Sequence, residues 1–142
     1  MRITKISYER LQLKLVEPYT IAYETVEETT NFILKLETES KWTAYGCSAH
    51  DVTVTGESPE QVEESIKDII IPYLKGKNPF TYIRILTELK EMLGDKSSAL
   101  AMVDIALYDL IAKKAEVPLY QFLGGYRNCI ATSITIGILP LD

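Results

Sequence analysis

"SSALAMVDIALYDLIAKKAEVPLYQFLGG", residues 97–125, is the stretch that decides the fold. Its apolar residues run nearly all round a predicted helix from Ser97 to Ala115, which indicates a helix buried on most sides. A short helical turn is predicted at "PLYQFLGG", and it ends at the pair Gly124–Gly125. The rest of the chain must therefore supply the elements that cover this helix.

The segment "SPEQVEESIKDIIIPYL", residues 58–74, predicts one of these covering helices. Ser58 is a typical N-cap, Pro59 suits the first helical position, and Gln61 completes a capping box. Pro72 is expected to end or bend the helix, because proline has no amide hydrogen to donate. Its predicted apolar face consists of four residues: Val62, Ile66, Ile69 and Tyr73.

A further helix is predicted by "NPFTYIRILTELKEMLG", residues 78–94. Gly94 is a typical stop residue for such a helix. The apolar face is predicted to contain Leu86, Leu89 and Leu93.

Three antiparallel strands are predicted in the first third of the chain. The first strand, which Pro18 ends, has an apolar face formed by Leu11, Leu13 and Leu15. The second has Phe32, Leu34 and Leu36 on one face, and a polar turn at 38–40 leads into the third, "KWTAYG" at 41–46. Residues 17–31 are predicted to form a long loop between the first two strands, and such loops are usually functional or mobile.

This order predicts an α+β fold in which a three-stranded antiparallel meander packs on a helical bundle. The last segment, "TSITIGILPLD" at 132–142, is predicted to be an isolated strand that runs into a loop. It follows a helix and resembles the first strand of something larger. We therefore predict an α+β domain over residues 1–125 and the beginning of a second domain over residues 126–142.

Composition excludes several classes of protein. The net charge of -5 argues against nucleic-acid binding, which requires a basic surface. No apolar run approaches the roughly 20 residues of a membrane span, and the N-terminus lacks a signal-peptide core. Cys47 and Cys129 have no CxxC partner and are predicted to be reduced thiols, with a disulfide between them as the alternative. These features favour a cytoplasmic protein.

Two stretches resemble the enolase superfamily in its muconate-lactonizing branch. Residues 97–125 followed by "TSITIGI" are most similar to dipeptide epimerases, and "YGCSAHDVTVTGES" at 45–58 resembles the second loop of their capping domain. Cycloisomerases and o-succinylbenzoate synthases of the same branch are the near alternatives. A stand-alone binding or scaffold domain is the alternative from another class.

The resemblance implies that residues 1–125 form an enolase-type N-terminal capping domain and that residues 126–142 begin a (β/α) barrel. Such a barrel needs roughly 250 residues, so we expect the chain to be a fragment or truncated form of a longer enzyme. Exposed surface that normally meets the missing barrel is expected to make the chain associate as a homo-oligomer.

The chemistry implied by the resemblance is abstraction of the proton next to a carboxylate, with Mg²⁺ as cofactor and two lysines as acid and base. Oxygen ligands suit this cation. In the family all these residues follow the first barrel strand, so we expect no catalytic or metal-binding residue here and no activity from the chain alone. The sequence Lys75-Gly76-Lys77 has the KxK pattern of the family's first catalytic lysine, but it lies between two helices and is predicted to be a solvated turn.

In this family two capping loops cover the substrate, and they correspond here to residues 19–26 and 48–53. The candidate substrate-binding residues are Tyr19, Thr20, Ile21, Tyr23, Glu24, His50, Asp51, Val52 and Thr135. Alternatively, the residues of the first loop pack on the domain's own core. Because residues 18–31 contain acids but no Lys or Arg, we predict a hydrophobic or cationic dipeptide, with Glu24 or Asp51 facing a positive group. The alternative is a solvated acidic loop.

Four side chains carry chemistry that the sequence leaves open. His50 lies three residues after Cys47, which permits a Cys-His nucleophile pair, although a histidine beside a substrate pocket is the favoured interpretation. Two ligands are too few for zinc. Asp104 and Asp109 do not share a helix face, so we predict that they hold neighbouring elements by hydrogen bonds.

Overall fold

A computed structural model describes residues 1–20 and 25–134 of the chain. The strands are β1 (Ile3–Thr20), β2 (Thr25–Thr38) and β3 (Thr43–Ser48). The helices are α1 (Pro59–Glu64), α2 (Ile71–Leu74), α3 (Tyr82–Leu93), α4 (Ser97–Lys114) and α5 (Leu119–Phe122). A π-helical stretch, Ser65–Ile70, joins α1 to α2, and a 3-10 turn, Pro79–Thr81, precedes α3. The antiparallel sheet has the order β1-β2-β3, which confirms the predicted α+β meander.

The core face of the sheet is centred on β2. Phe32, Leu34 and Leu36 are fully buried, as their alternation predicted. The turn into β3 is closed by a backbone hydrogen bond of 2.9 Å from Lys41 to Thr38, and Lys41 has a φ of 64°. The second strand and its turn were therefore readable from the sequence.

The apolar face predicted for β1 is not the face that meets the core. Leu11 lies opposite Asn31 and Leu13 opposite Thr29, which places both leucines on the sheet face that Phe32 does not share. Leu13 is 45% exposed. The strand begins earlier than predicted, and its core contacts come from its first half: Ile3, Ile6 and Tyr8. Alternation identifies a strand but does not say which face meets the core.

The long loop predicted for residues 17–31 is also largely absent. β1 and β2 remain paired out to Thr20 and Thr25, so strands occupy most of that range. A register irregularity between Lys14 and Tyr19 accommodates Pro18, which cannot donate a ladder hydrogen bond. The connection between the strands is reduced to residues 21–24, which lie outside the described residues.

The first helical segment begins with the predicted capping box. Gln61 donates its amide to Ser58 Oγ at 3.3 Å, and Ser58 donates its amide to Gln61 Oε1 at 2.9 Å. Before Pro72 the helix widens, and the Ile71 amide donates to the Ile66 carbonyl, five residues back. The extra residue per turn moves the buried face. Its members are Val62, Ile66, Ile70 and Leu74, whereas the predicted Ile69 and Tyr73 are only partly buried.

Helices α3 and α4 complete the core. In α3 the buried residues are Ile85, Leu89 and Leu93, with the predicted Leu86 only partly buried. Nine residues of α4 are buried, in agreement with its apolar residues on most sides. Although α4 is long and largely apolar, neither it nor another helix in the described part of the chain has the length and hydropathy of a membrane span.

After α5 the described chain has no further helix or strand. Gly124 and Gly125 both adopt positive φ, of 107° and 57°, which confirms the predicted end of the helical turn. Residues 131–134 are not in a strand, and Ile134 is 86% exposed. The rest of the predicted final strand, residues 135–142, lies outside the described residues.

Candidate functional site

A pocket of about 520 Å³ lies where the outer half of the β1–β2 hairpin meets the segment after β3. The hairpin contributes Leu15, Val26, Glu28, Thr29 and Thr30. The segment after β3 contributes His50, Asp51, Val52 and Thr53, and Pro59 adds the first residue of α1. The structure therefore brings the hairpin together with three of the predicted site residues, His50, Asp51 and Val52.

Of the first predicted loop, residues 19–26, the structure describes only the two ends, residues 19–20 and 25–26. The side-chain hydroxyls of Thr20 and Thr25 form a hydrogen bond of 3.0 Å across the two strands. The backbone of Tyr19 lies opposite Val26. The other predicted members of the site, Ile21, Tyr23, Glu24 and Thr135, lie outside the described residues.

Asp51 organises the second loop. Its Oδ1 accepts hydrogen bonds from the amides of Thr53 (2.7 Å) and Val54 (2.9 Å). Its carbonyl accepts from the amide of Thr55 at 2.7 Å and from that of Gly56 at 3.1 Å. These bonds fold residues 51–56 into a compact turn. This oxygen of Asp51 therefore supports the loop, and the role of Asp51 in facing a positive group stays a prediction.

His50 lies between this loop and the core. Its ring packs on Phe32, with 5.8 Å between the ring centroids and 52° between the planes. Nδ1 is buried and has no hydrogen-bond partner among the described residues. Burial lowers the pKa of His50 from its ordinary value of 6.5, and this effect outweighs the opposing effect of Glu57. The imidazole is consequently neutral at pH 7.

Cys47 and His50 do not form a nucleophile pair. Cys47 lies opposite Ile33, on the sheet face turned away from the helices, whereas the His50 ring contacts Phe32 on the helix face. Burial raises the pKa of the Cys47 thiol, the opposite of what an activated thiolate needs. Cys47 and Cys129 are both free thiols, as predicted.

Glu57 anchors the second loop at its far end, a role that the sequence analysis missed. Its side chain is fully buried, and its carboxylate accepts hydrogen bonds from the amides of Ser98 (2.7 Å) and Ala99 (3.3 Å) at the start of α4. Ser48 donates to Ser98 Oγ at 3.0 Å from the other end of the loop. The acid was visible within "TGES", but its partners lie too far along the chain for local patterns to reveal.

Of the two aspartates of α4, Asp109 has the predicted supporting role. Its Oδ2 accepts a hydrogen bond of 2.9 Å from the Tyr45 amide on β3 and pairs with Lys113 Nζ at 2.7 Å. For Asp104 the structure describes no such bond, and burial raises the pKa of its carboxyl. The two acids lie at different places, so paired-carboxylate chemistry has no basis here.

The Lys75-Gly76-Lys77 segment is a turn, as predicted. Gly76 has a φ of 80° and donates its amide to the Ile3 carbonyl at 2.9 Å. Lys77 Nζ lies 4.2 Å from the ring centroid of Tyr73 and 3.8 Å from the carboxylate of Glu88. These lysines belong to the domain's own surface rather than to a catalytic strand.

The described residues do not fit a metal site. No group of three or more His, Cys, Asp or Glu side chains in residues 1–20 and 25–134 comes together as ligands. The pocket offers carboxylates from Glu28 and Asp51, and Glu28 already accepts a hydrogen bond of 2.9 Å from Gln12. The described lining of the pocket thus supplies two carboxylates and no group of three ligands.

Comparison with known proteins places these features in context. Residues 4–124 match the model of the family described as "Mandelate racemase / muconate lactonizing enzyme, N-terminal domain". An L-Lys-D/L-Arg epimerase of Desulforapulum autotrophicum is 40% identical over 99% of this chain and 40% of its own length. A hydrophobic dipeptide epimerase of Enterococcus faecalis is 36% identical over 97% of this chain and 39% of its own length.

A solved structure agrees with these relatives. The dipeptide epimerase of Methylococcus capsulatus, complexed with Mg and the dipeptide L-Arg-D-Lys, superposes with a TM-score of 0.93 at 33% identity. The superposition covers 99% of this chain and 40% of that one. The chain thus spans about 40% of the length of the relatives that it matches.

Proposed function

Since the chain belongs to the mandelate racemase / muconate lactonizing enzyme N-terminal domain family and is close to dipeptide epimerases, we propose that it is the capping domain of a dipeptide epimerase. The observation that carries this proposal is the pocket between the β1–β2 hairpin and His50–Thr53. A pocket shared by two connecting segments is suited to covering a substrate and excluding water.

In the proposed enzyme the domain supplies specificity and cover, and a barrel supplies the reacting groups. Mg²⁺ would stabilise the negative charge that forms when the proton next to the carboxylate is removed. The described residues offer no ligand set for it, so we assign the metal and the acid–base lysines to the barrel. The 142-residue chain alone is then expected to be inactive.

We further propose a cationic dipeptide as the preferred substrate. Glu28 and Asp51 line the pocket, and no Lys or Arg does so among the described residues. A carboxylate side chain of a substrate would be repelled by this lining, whereas an ammonium or guanidinium group would be attracted. One relative is named an L-Lys-D/L-Arg epimerase, and one solved dipeptide epimerase is complexed with L-Arg-D-Lys, which supports this choice.

A hydrophobic dipeptide is the second candidate. The same pocket contains Leu15, Val26 and Val52, and one relative is named for hydrophobic dipeptides. Apolar side chains of a substrate would gain by burial against these three residues.

The test begins with the protein as its source cell produces it. Its intact mass is compared with 16.1 kDa, and it is then assayed in heavy water with L-Lys-L-Arg, L-Leu-L-Tyr and L-Ala-L-Glu for deuterium uptake next to the carboxylate. We expect Mg²⁺-dependent exchange that is fastest with L-Lys-L-Arg. Preference for L-Ala-L-Glu would refute the substrate proposal. Exchange with none of the three, at a mass of 16.1 kDa, would instead favour a binding domain.

A further inference from the structure

His50 holds a distinct place in the pocket lining. Within the described part of the chain it is the only lining side chain that carries an N–H group. The remaining polar lining consists of carboxylates and threonine hydroxyls. A ligand oxygen that needs a nitrogen donor from a side chain therefore has one partner in this pocket.

The two nitrogens of the His50 ring differ in environment. Nδ1 is buried without a partner, and a hydrogen on it would be a buried donor with no acceptor, which costs more than leaving it as a bare lone pair. The ring is only partly buried and lines the pocket, and Nε2 is not among the buried unpartnered atoms of the described residues, so we take Nε2 as the nitrogen on the pocket side. The single proton of the neutral ring therefore belongs on Nε2.

Charged neighbours do not change the neutral state of the His50 ring. Glu57, Glu60 and Asp51 favour the protonated ring and Arg10 opposes it, but burial against the core has the largest effect and keeps the ring neutral. The ring also packs on Phe32, which limits how far its plane can turn. His50 is thus a neutral donor in the pocket wall.

The negative charge of the pocket limits which kind of ligand oxygen can accept a hydrogen bond from His50. A carboxylate placed at His50 would lie near Asp51 and Glu28 and gain no compensating positive charge from a neutral imidazole. An uncharged carbonyl oxygen meets no such penalty. In a dipeptide that group is the peptide carbonyl.

We propose that His50 donates its Nε2–H to the peptide carbonyl oxygen of the bound dipeptide. The role rests on the proposed function of the pocket and adds to it the residue that reads the peptide group itself. The acidic lining selects the side chain of the substrate. His50 contacts the peptide carbonyl, which every dipeptide has, so it binds all dipeptides in the pocket in the same way.

The first test needs no ligand. His50 is the only histidine of the chain, so ¹⁵N-histidine labelling gives two ring signals that need no assignment by mutation. Long-range proton–nitrogen spectra at pH 7 should report a neutral ring with the hydrogen on Nε2. A ring with the hydrogen on Nδ1, or an imidazolium, would overturn the inference.

The second test measures binding of L-Lys-L-Arg to the full 142-residue chain by the shift of the Nε2 signal and of the Thr53 and Val54 amides. His50→Gln keeps an N–H donor, whereas His50→Leu removes it at similar size. We expect His50→Leu to weaken binding about tenfold and His50→Gln to retain binding within about threefold. Cys47→Ala, on the opposite sheet face, is the matched control and should bind as the parent does.

The outcomes separate the two proposals. Shifts of the Thr53 and Val54 amides without a change at Nε2, or equal binding by the His50→Leu variant, would refute the role of His50 and leave the capping function standing. The absence of any shift would refute the role of His50 in this pocket. Deuterium exchange by the source protein then decides separately on the proposed function.

Discussion

At Gly46 the backbone of β3 lies directly against that of α4. A Cβ atom at this position would lie 1.9 Å from the carbonyl oxygen of Met102 and 2.9 Å from the amide nitrogen of Ala106. Both are backbone atoms of a buried helix and cannot turn aside as a side chain would. The close approach of strand and helix thus depends on the absence of a single methyl group.

Gly46→Ala is therefore expected to lower the free energy of unfolding by about 3 kcal/mol, since α4 must move away from the sheet. Urea denaturation monitored by circular dichroism measures the change. Cys47→Ala, on the neighbouring residue of the other sheet face, should change stability by less than about 1 kcal/mol. Equal effects of the two substitutions would show that the contact at Gly46 is relaxed in solution.

His50 predicts a pH dependence of stability. Its pKa in the folded state lies below the ordinary value of 6.5, so as the pH falls through 6.5 the unfolded chain takes up a proton that the folded chain does not. The free energy of unfolding should fall between about pH 6.5 and 5, before the carboxylates titrate. The denaturant midpoint of the parent should drop over this range, and that of His50→Leu should stay nearly constant. A parallel drop in both proteins would contradict this assignment.

Among the elements, α4 depends on a distant residue for its N-terminus. No side chain of its own first turn caps it, and the buried carboxylate of Glu57 accepts from two of its first amides. The same contact fixes the end of the loop that carries His50 and Asp51. One carboxylate therefore holds both the central helix and one wall of the pocket.

Replacing Glu57 by Gln should lower the free energy of unfolding by about 1–3 kcal/mol, because the amide group offers one acceptor where two are needed. Hydrogen exchange at the Ser98 and Ala99 amides should become faster. Glu60→Gln, at an exposed position of α1, is the control, with an expected change of at most about 0.5 kcal/mol. Slow exchange of both amides in Glu57→Gln would argue against the capping role.

The outer edge of β3 is protected by α4 rather than by another strand. Asp109 accepts from the Tyr45 amide, and Lys113 Nζ donates to the Thr43 carbonyl at 3.2 Å. The two side chains are themselves paired, so one pair of residues satisfies two of the backbone groups on this edge.

Asp109→Ala should increase hydrogen exchange at the Tyr45 amide about tenfold, because the charged acceptor is lost. Global stability is a poor measure of this change, since alanine also favours the helix. Asp104→Ala on the same helix makes no such contact and serves as the control. An unchanged rate at Tyr45 would mean that water replaces the carboxylate without cost.

Most helices and strands could be predicted from the sequence. Which side of each helix or strand is buried could be predicted less well. The capping box of Ser58 and Gln61 and the alternation of β2 depend on neighbouring residues, and both were confirmed. The apolar face of β1 does not meet the core, and Ile69 and Tyr73 are only partly buried, because each face depends on a partner element or on the π-helical widening. Local periodicity contains neither kind of information.

In the candidate site, too, local sequence patterns predicted some residues, and contacts between distant elements determined the others. The sequence predicted that His50, Asp51 and Val52 bind substrate. The structure places the three residues in the wall of one pocket, and their role in substrate binding stays a prediction. The sequence missed the contribution of Glu28 and the anchoring by Glu57, since both require knowledge of which distant strands and helices meet.

At the scale of the whole molecule, apolar side chains accumulate after α4. Tyr126 is 91% exposed, Ile130 77% and Ile134 86%, in a segment without helix or strand. Such a surface is normally covered by another domain or another molecule. The isolated chain is therefore expected to associate.

Sedimentation velocity over a range of concentrations should detect oligomers of the 142-residue chain. A shortened chain that ends at Gly125 should be more monomeric and should unfold cooperatively with a free energy within about 1 kcal/mol of the parent, since the removed residues are exposed. A parent chain that remains monomeric throughout would contradict the expected association. Loss of cooperative unfolding in the shortened chain would contradict the domain boundary at residue 125.

The first residues of β1 are covered by the turn at residues 75–77, which is synthesised much later. Ile3 is fully buried, its amide donates to the Lys77 carbonyl at 3.0 Å, and its carbonyl accepts from Gly76. During synthesis β1 and β2 can pair as soon as both have left the ribosome. The backbone hydrogen bonds of Ile3 can form only after residues 75–77 have been synthesised. The nascent hairpin thus carries an uncovered apolar end for much of translation, and a chaperone that binds emerging chains would find it there.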